Sequence, residues 1–278
     1  MTDSKQRQIL LIVDLIREAA QPEKIILFGS YAKGKQVEHR YIGKDGTRYE
    51  YISDYDFLVV TRKNNIKEYE LEDIINNRIG DLEPSVNIQV HEIDYINEGL
   101  EFGQYFFSDI INEGIILYDT ATITFADARI LTKHEEQEKA QRYFDIWFPQ
   151  ANEFLIDAGN AKDRNSNKNS AFYSHQATES LYYATLLVFT GYKPKTHNIG
   201  KLRKMAKILS EELYLLFPIE TSKSENHLFD LLKRGYIDAR YKPDYTISTE
   251  ELESLHDRIK MMQGIVEKLC MEKITSIR

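Results

Sequence analysis

Two short stretches carry residue types able to do chemistry. In "LFGSYAKGK", residues 27–35, Gly29 follows an apolar run, and a residue without a Cβ lets a phosphate approach the backbone closely. Ser30 adds a hydroxyl, and the residues after it are expected to open a short helix whose free N–H groups favour an anion. In "SDYDFLVV", residues 53–60, Asp54 and Asp56 stand two apart at the start of a strand-like run, so both carboxylates should share one face. Two hard oxygen ligands on a rigid face suit Mg²⁺, with water and phosphate oxygens filling the other positions. An ion held there would neutralise a triphosphate and align an attacking oxygen with the α-phosphorus. Lys33 and Lys35 are basic neighbours of the turn.

These residues must be held by elements that the hydropathy pattern foretells. Ile9, Leu10, Ile12, Val13 and Ile16 recur at helical spacing, which predicts an amphipathic helix from Ser4 to Ala20, ended by Pro22. "KIILF" at 24–28 reads as a buried strand and "YISDYDFLVV" as a second. The intervening "VEHRYIGKDGTRYEYI" predicts a hairpin turning at "KDG". A helix is expected in "IKEYELEDIINNRIGD", a third main strand in "SVNIQVHEI", and a last short apolar run after Gly114. In the third strand, if Val86, Ile88 and Val90 face the core, then Asn87, Gln89 and His91 face the site, and none is a carboxylate. His91, or Glu83 reaching in, is the candidate base.

A strand, a Gly-Ser turn, then Ser-Asp-x-Asp entering an apolar strand resembles the nucleotidyltransferase superfamily that includes DNA polymerase β and kanamycin nucleotidyltransferase. The resemblance covers residues 22–95. It implies that Gly29 and Ser30 contact nucleotide phosphate and that the catalytic pair Asp54 and Asp56 holds metal; Lys33 and Lys35 are either further phosphate-binding neighbours or solvated surface. It also implies a further carboxylate on the following strand, which this sequence lacks. The superfamily implies Mg²⁺ and a nucleoside triphosphate, ATP being the expected donor.

From about residue 126 the pattern becomes helical throughout. A break is expected near Pro149, and "SAFYSHQATESLYYATLLVFT" predicts a long apolar helix stopped at Gly191 and Pro194. Its His-Gln-Ala-x-Glu segment, the Lys-x-His-Asn turn after it and the later "YIDARYKPDY" resemble the HEPN family of helical bundles, over residues 128–270. His175 and Glu179 lie four apart on one helix face. They either satisfy each other or a tyrosine at a helix interface, or line a groove for nucleotide or partner, in which Tyr241 stacks a base and Arg240 pairs a phosphate. The ribonuclease spacing of many HEPN proteins, Arg-x4–6-His, does not follow Arg234 or Arg240; it occurs at Arg129–His134, but at the domain junction and with Ile130 in place of the usual polar residue, so that activity is not expected.

The fold class expected is thus an α+β N-terminal nucleotidyltransferase domain, a small mixed sheet with helices over 1–122, followed by an all-α HEPN-like bundle over 123–278. The 42% apolar content is ample for two cores. One cysteine, Cys270, excludes an internal disulfide and a cysteine-based zinc site. The first twenty residues lack the pattern of a secretory leader, and no apolar run approaches membrane length, so a cytoplasmic location without membrane association is expected. A net charge of −8 argues against an extended nucleic-acid surface and favours cationic substrates, aminoglycosides among them. The reading is transfer of AMP from ATP to a hydroxyl on a small molecule or protein, with the long apolar helix as a homodimer surface. Its alternatives are a nucleotide-binding regulatory protein of toxin–antitoxin type that has lost transfer, and a fused pair in which the first half modifies a HEPN tyrosine.

Overall fold

The computed structural model describes residues 3–42, 48–63, 66–80 and 84–277, with only the backbone given for 39–42 and 48–51. The elements in chain order are α1 (Asp3–Ala20), β1 (Lys24–Phe28), α2 (Gly29–Ala32), β2 (Glu38–Ile42), β3 (Arg48–Ile52), β4 (Tyr55–Thr61), α3 (Glu68–Ile79), β5 (Val86–Glu92), α4 (Ile93–Glu101), α5 (Tyr105–Glu113) and β6 (Ile115–Asp119). The helices α6 (Lys133–Asp163), α7 (Asn167–Thr190), α8 (Ile199–Lys207), α9 (Glu211–Leu215), α10 (Lys223–Arg234), α11 (Asp238–Tyr241) and α12 (Thr249–Ser276) follow. The chain divides into two compact units, residues 1–39 with 51–130, and 40–50 with 131–278. The boundary expected at 122/123 falls in the stretch without helix or strand that precedes α6. Hairpin strands β2 and β3 pair as expected, while the "KDG" turn lies outside the described residues.

In the first unit the sheet order is β5-β4-β1-β6, with β4 and β5 parallel and β1 antiparallel to both β4 and β6. The parallel pair needs a crossover, and α3 supplies it. Every residue of β1 and β4 is buried, which explains their nearly continuous apolar runs. Ile25, Leu27, Tyr55, Phe57, Val59, Val86, Ile88 and Val90 form one core cluster with Ile9, Ile12, Val13 and Ile16 of α1 and Leu71 and Ile75 of α3. Leu10, assigned to that apolar stripe from its spacing, is 57% exposed, and Leu15 is buried instead. The other sheet face meets α5, where Phe28 packs edge-on against Phe106 at 6.0 Å. The two faces are therefore different environments, and the pleat assigns each strand residue to one of them.

The second unit is built around α7. Its residues from Ala177 to Val188 are all buried, so it is enclosed around its whole circumference, with Thr178, Glu179, Ser180 and Thr185 among the buried residues. Its hydroxyls return to carbonyls of the preceding turn: Thr178 Oγ1 donates to Ser174 O at 2.9 Å and Thr185 Oγ1 to Leu181 O at 3.0 Å. The apolar faces of α7, expected to serve a homodimer, pack against helices of its own unit. Gly191 ends α7 in a left-handed conformation at φ 65°. The break expected at Pro149 does not occur, and α6 runs through it. One missing N–H costs a single helix bond, and the helix is held by buried Phe148 and Ala151 on either side. Reciprocal caps start α6 (Thr132 with Glu135) and α12 (Ser248 with Glu251). No helix among the described residues is long and apolar enough to cross a membrane.

Candidate functional site

The Gly-Ser turn and the aspartate pair meet at one end of the sheet. Phe28 is the register partner of Asp56 in the β1–β4 ladder, so the residue after Phe28 emerges beside the Asp56 side chain. That residue is Gly29, at φ +71°, and a Cβ added there would stand 2.5 Å from Asp56 Oδ2 and 3.2 Å from its Cγ. Only glycine can make this turn against this carboxylate. Ser30 Oγ is buried and makes no hydrogen bond. At four residues α2 is too short to carry much of a helix dipole, so the expected anion-binding terminus reduces to the Gly29 backbone and the Ser30 hydroxyl.

Asp54 and Asp56 are 6% and 3% exposed. Asp56 lies in β4, whereas Asp54 immediately precedes it, and each is met by a residue of the neighbouring segment. Ser85 Oγ donates to Asp54 Oδ1 at 2.5 Å, and Asn87 Nδ2 donates to Asp56 Oδ1 at 2.8 Å. The pairing follows from the parallel register, in which Tyr55 faces Val86 and Asp56 faces Asn87. The loop into Asp54 is fixed as well, with Ser53 Oγ accepting from Val37 N at 2.8 Å and Ser53 N donating back to Val37 O at 2.9 Å. Two buried carboxylates two residues apart, each accepting a hydrogen bond from the neighbouring segment, are a ligand pair that suits a hard cation. Groups of three or more His, Cys, Asp or Glu able to hold a metal do not occur among the described residues. Among the described residues, an ion here would rest on this pair.

The remaining site expectations divide. Asn87 and Gln89 do lie on the face opposite the core cluster; they are 2% and 1% exposed, and Asn87 Oδ1 and Gln89 Nε2 lack hydrogen-bond partners. His91 shares that parity but not the location. At about 3.3 Å per residue it stands some 13 Å beyond Asn87 along β5, and its ring sits in an aromatic cluster 5.1 Å from Tyr95 and 5.5 Å from Phe107. It is therefore no base for a group at Asp54 and Asp56. Glu83 lies outside the described residues. Lys33 is half-exposed and forms an ion pair with Glu113, and Lys35 is exposed. Ser85 escaped notice because nothing in "PSVN" marks it until the register sets it against Asp54. A groove of about 460 Å³ lined by Arg17, Glu23, Tyr118 and Thr120 lies at the opposite end of β1 from Gly29.

In the second unit His175 and Glu179 are buried but do not bond each other. His175 Nδ1 meets Leu232 O at 3.1 Å. Glu179 is a hub that accepts from Tyr183 Oη at 2.8 Å, His197 Nδ1 at 2.6 Å and Gln176 Nε2 at 3.1 Å. Of the two readings open for this pair, the tyrosine partner at a helix interface is present. The Tyr236 ring stacks on both His175 (5.1 Å) and His197 (4.8 Å). Burial, with smaller opposing contributions from the Leu232 carbonyl and Glu179, lowers the His175 pKa and keeps its ring neutral. Burial and then the Glu179 charge push the Tyr183 phenol above its usual range. Arg240 donates from Nε to Tyr236 O at 2.6 Å, and its guanidinium lies within 5.0 Å of the Phe172, Tyr236 and Tyr241 ring centres. Tyr241 is 71% exposed. His197 and Tyr236 stand in the Lys-x-His-Asn turn and the "YIDARYKPDY" segment already cited, but their parts beside Glu179 and His175 emerge only from the fold.

A comparison of the chain with curated proteins gives no match. A family comparison matches the HEPN domain over residues 144–272, from within α6 to near the end of α12, the span that contains His175, Glu179, His197 and Tyr236. Residues 144–272, most of the helical unit around α7, are thus similar to the HEPN domain.

Proposed function

We propose that the first unit is a nucleotidyltransferase-type domain that binds a nucleoside triphosphate with Mg²⁺ and transfers the nucleoside monophosphate, AMP from ATP, to a hydroxyl of a small molecule or protein. The observation that carries the reading is the contact between two motifs about 25 residues apart, Gly29 backbone against the Asp56 carboxylate. The buried, unpartnered Ser30 hydroxyl beside it supports the same reading, since it offers a ready donor to a phosphate oxygen. Asp54 and Asp56 would hold the ion, which when bound supplies charge neutralisation and alignment of the triphosphate. Gly29 leaves room for the phosphate chain to pass close to the backbone, and Ser85 and Asn87 fix the two carboxylates in orientation. In the transfer, the acceptor oxygen bonds to the α-phosphorus, the bond from that phosphorus to the bridging oxygen breaks, pyrophosphate leaves, and the acceptor proton passes to water.

A second reading, a nucleotide-binding regulator without turnover, is favoured by Asn87 standing where a third anionic ligand would complete the site. Incubating the protein with ATP labelled at the α-phosphate, with Mg²⁺ and a panel of hydroxyl acceptors that includes aminoglycosides, separates the two. Transfer predicts label on an acceptor or on the protein with pyrophosphate released, both lost in Asp54→Asn. Tight binding of MgATP with no pyrophosphate release would leave the regulator.

A further inference from the structure

We propose that Asn87 limits the Asp54–Asp56 site to a single divalent cation. The inference rests on the nucleotide–metal reading above and specifies how that site is loaded. Asn87 is the register neighbour of Asp56, is 2% exposed, and turns its amide nitrogen to Asp56 Oδ1 at 2.8 Å. The amide nitrogen only donates, so this edge of Asp56 presents hydrogens, and the buried Asn87 Oδ1 is a neutral oxygen that brings no charge to balance a second cation. Turning the amide round would bring Asn87 Oδ1 against the Asp56 carboxylate and lose that bond. The next residue on the same face, Gln89, is again a neutral amide, 1% exposed, with an unpartnered nitrogen.

Charge points the same way. Two divalent ions at the usual separation of about 4 Å repel each other four times as strongly as two unit charges. Sites that hold such a pair offset this with bridging and flanking carboxylates, and a third carboxylate is absent among the described residues. One cation, balanced by Asp54 and Asp56 and by phosphate oxygens, suits this ligand set. Asn87→Asp would supply the missing oxygen at nearly unchanged shape. It would also remove the donor to Asp56 and place a third like charge in the cation-free site.

The test counts Mn²⁺ by electron paramagnetic resonance. Protein is mixed with an equimolar, non-transferable ATP analogue carrying an α,β-methylene bridge. The wild type is expected to retain one Mn²⁺ per complex with a mononuclear spectrum. Asn87→Asp is expected to retain two with an exchange-coupled spectrum, and its melting temperature should rise more on Mn²⁺ addition than that of the wild type. Asn87→Ala, which adds no charge, should keep one. Two ions in the wild type, one in Asn87→Asp, or none in Asn87→Ala would each overturn the inference while leaving the nucleotide site in place. If the wild type retains no more Mn²⁺ than Asp54→Asn, the nucleotide–metal reading itself falls, and this inference with it.

Discussion

Gly29 is the residue on which the first site turns. Its φ of +71° lies where side chains are rarely accommodated, and a methyl group would clash with Asp56 Oδ2. Gly29→Ala should therefore cost about 1–3 kcal/mol in urea unfolding, with a larger proportional loss of nucleotide binding, because the carboxylate must move aside. Glu179 plays the matching part in the second unit, as it carries three side-chain hydrogen bonds at a 4% exposed position. Glu179→Ala leaves the Tyr183 hydroxyl with only the Thr196 carbonyl and removes the partner of His197. Tyr183 keeps that carbonyl and the His197 side chain is 59% exposed, so the loss expected is about 1–3 kcal/mol. Glu179→Gln, which keeps an acceptor, should recover part of it.

The histidines give the second unit a pH dependence of definite sign. His175 and His256 both have pKa values lowered chiefly by burial, so the folded state binds fewer protons than the unfolded chain below the ordinary histidine range. Their contribution is intact above about pH 6.5 and is lost as pH falls, by up to about 1.4 kcal/mol per pH unit for each. Glu23, whose pKa is lowered from 4.5 to about 2 by the Thr120, Thr122 and Arg62 hydrogen bonds, acts in a separate window. Its stabilisation is full above pH 4.5 and disappears towards pH 2. Urea unfolding between pH 7 and 5 should therefore report the histidines, and replacing His175 by Gln should flatten that slope.

At the scale of elements, the strand pattern was legible and the exceptions have physical causes. Alternation in "SVNIQVHEI" correctly put Val86, Ile88 and Val90 in the core and Asn87 and Gln89 opposite them. It could not assign His91, because parity fixes the face of a strand and not the distance along it. The helix α6 shows the other limit, since a proline in an otherwise helical pattern reads as a stop while tertiary packing carries the helix through. Pro149 is exposed, so Pro149→Ala removes no packing and restores a helix bond. It should raise stability by about 2 kcal/mol, the helix-propensity gain of about 3 less the added unfolded-chain entropy. A gain below about 0.5 kcal/mol, the range of ordinary surface substitutions, would mean that α6 is already adapted to the proline.

At the scale of the molecule, each unit has its own buried core, one around the sheet and one around α7. The HEPN match was legible because its polar residues fall on a single long helix and the turn after it, which keeps the motif local in sequence. The partners that complete the Glu179 cluster were not legible, since the Tyr236 ring that stacks on His175 comes from 61 positions later. A ligand that binds one folded unit stabilises that unit by mass action. ATP analogue with Mg²⁺ should accordingly slow hydrogen exchange in β1, β4 and β5, with α7 and α12 unchanged. Protection confined to α7 and its turn would relocate the nucleotide to the second unit.

The account stands on the Gly-Ser turn and the aspartate pair forming one phosphate–metal site. Calorimetric titration of a non-transferable ATP analogue tests this most directly, in the presence and absence of Mg²⁺, for the wild type, Gly29→Ala and Asp56→Asn. Binding that requires Mg²⁺ and falls at least tenfold in both variants is the predicted result. Equal affinity in all three proteins, or affinity indifferent to Mg²⁺, would contradict it.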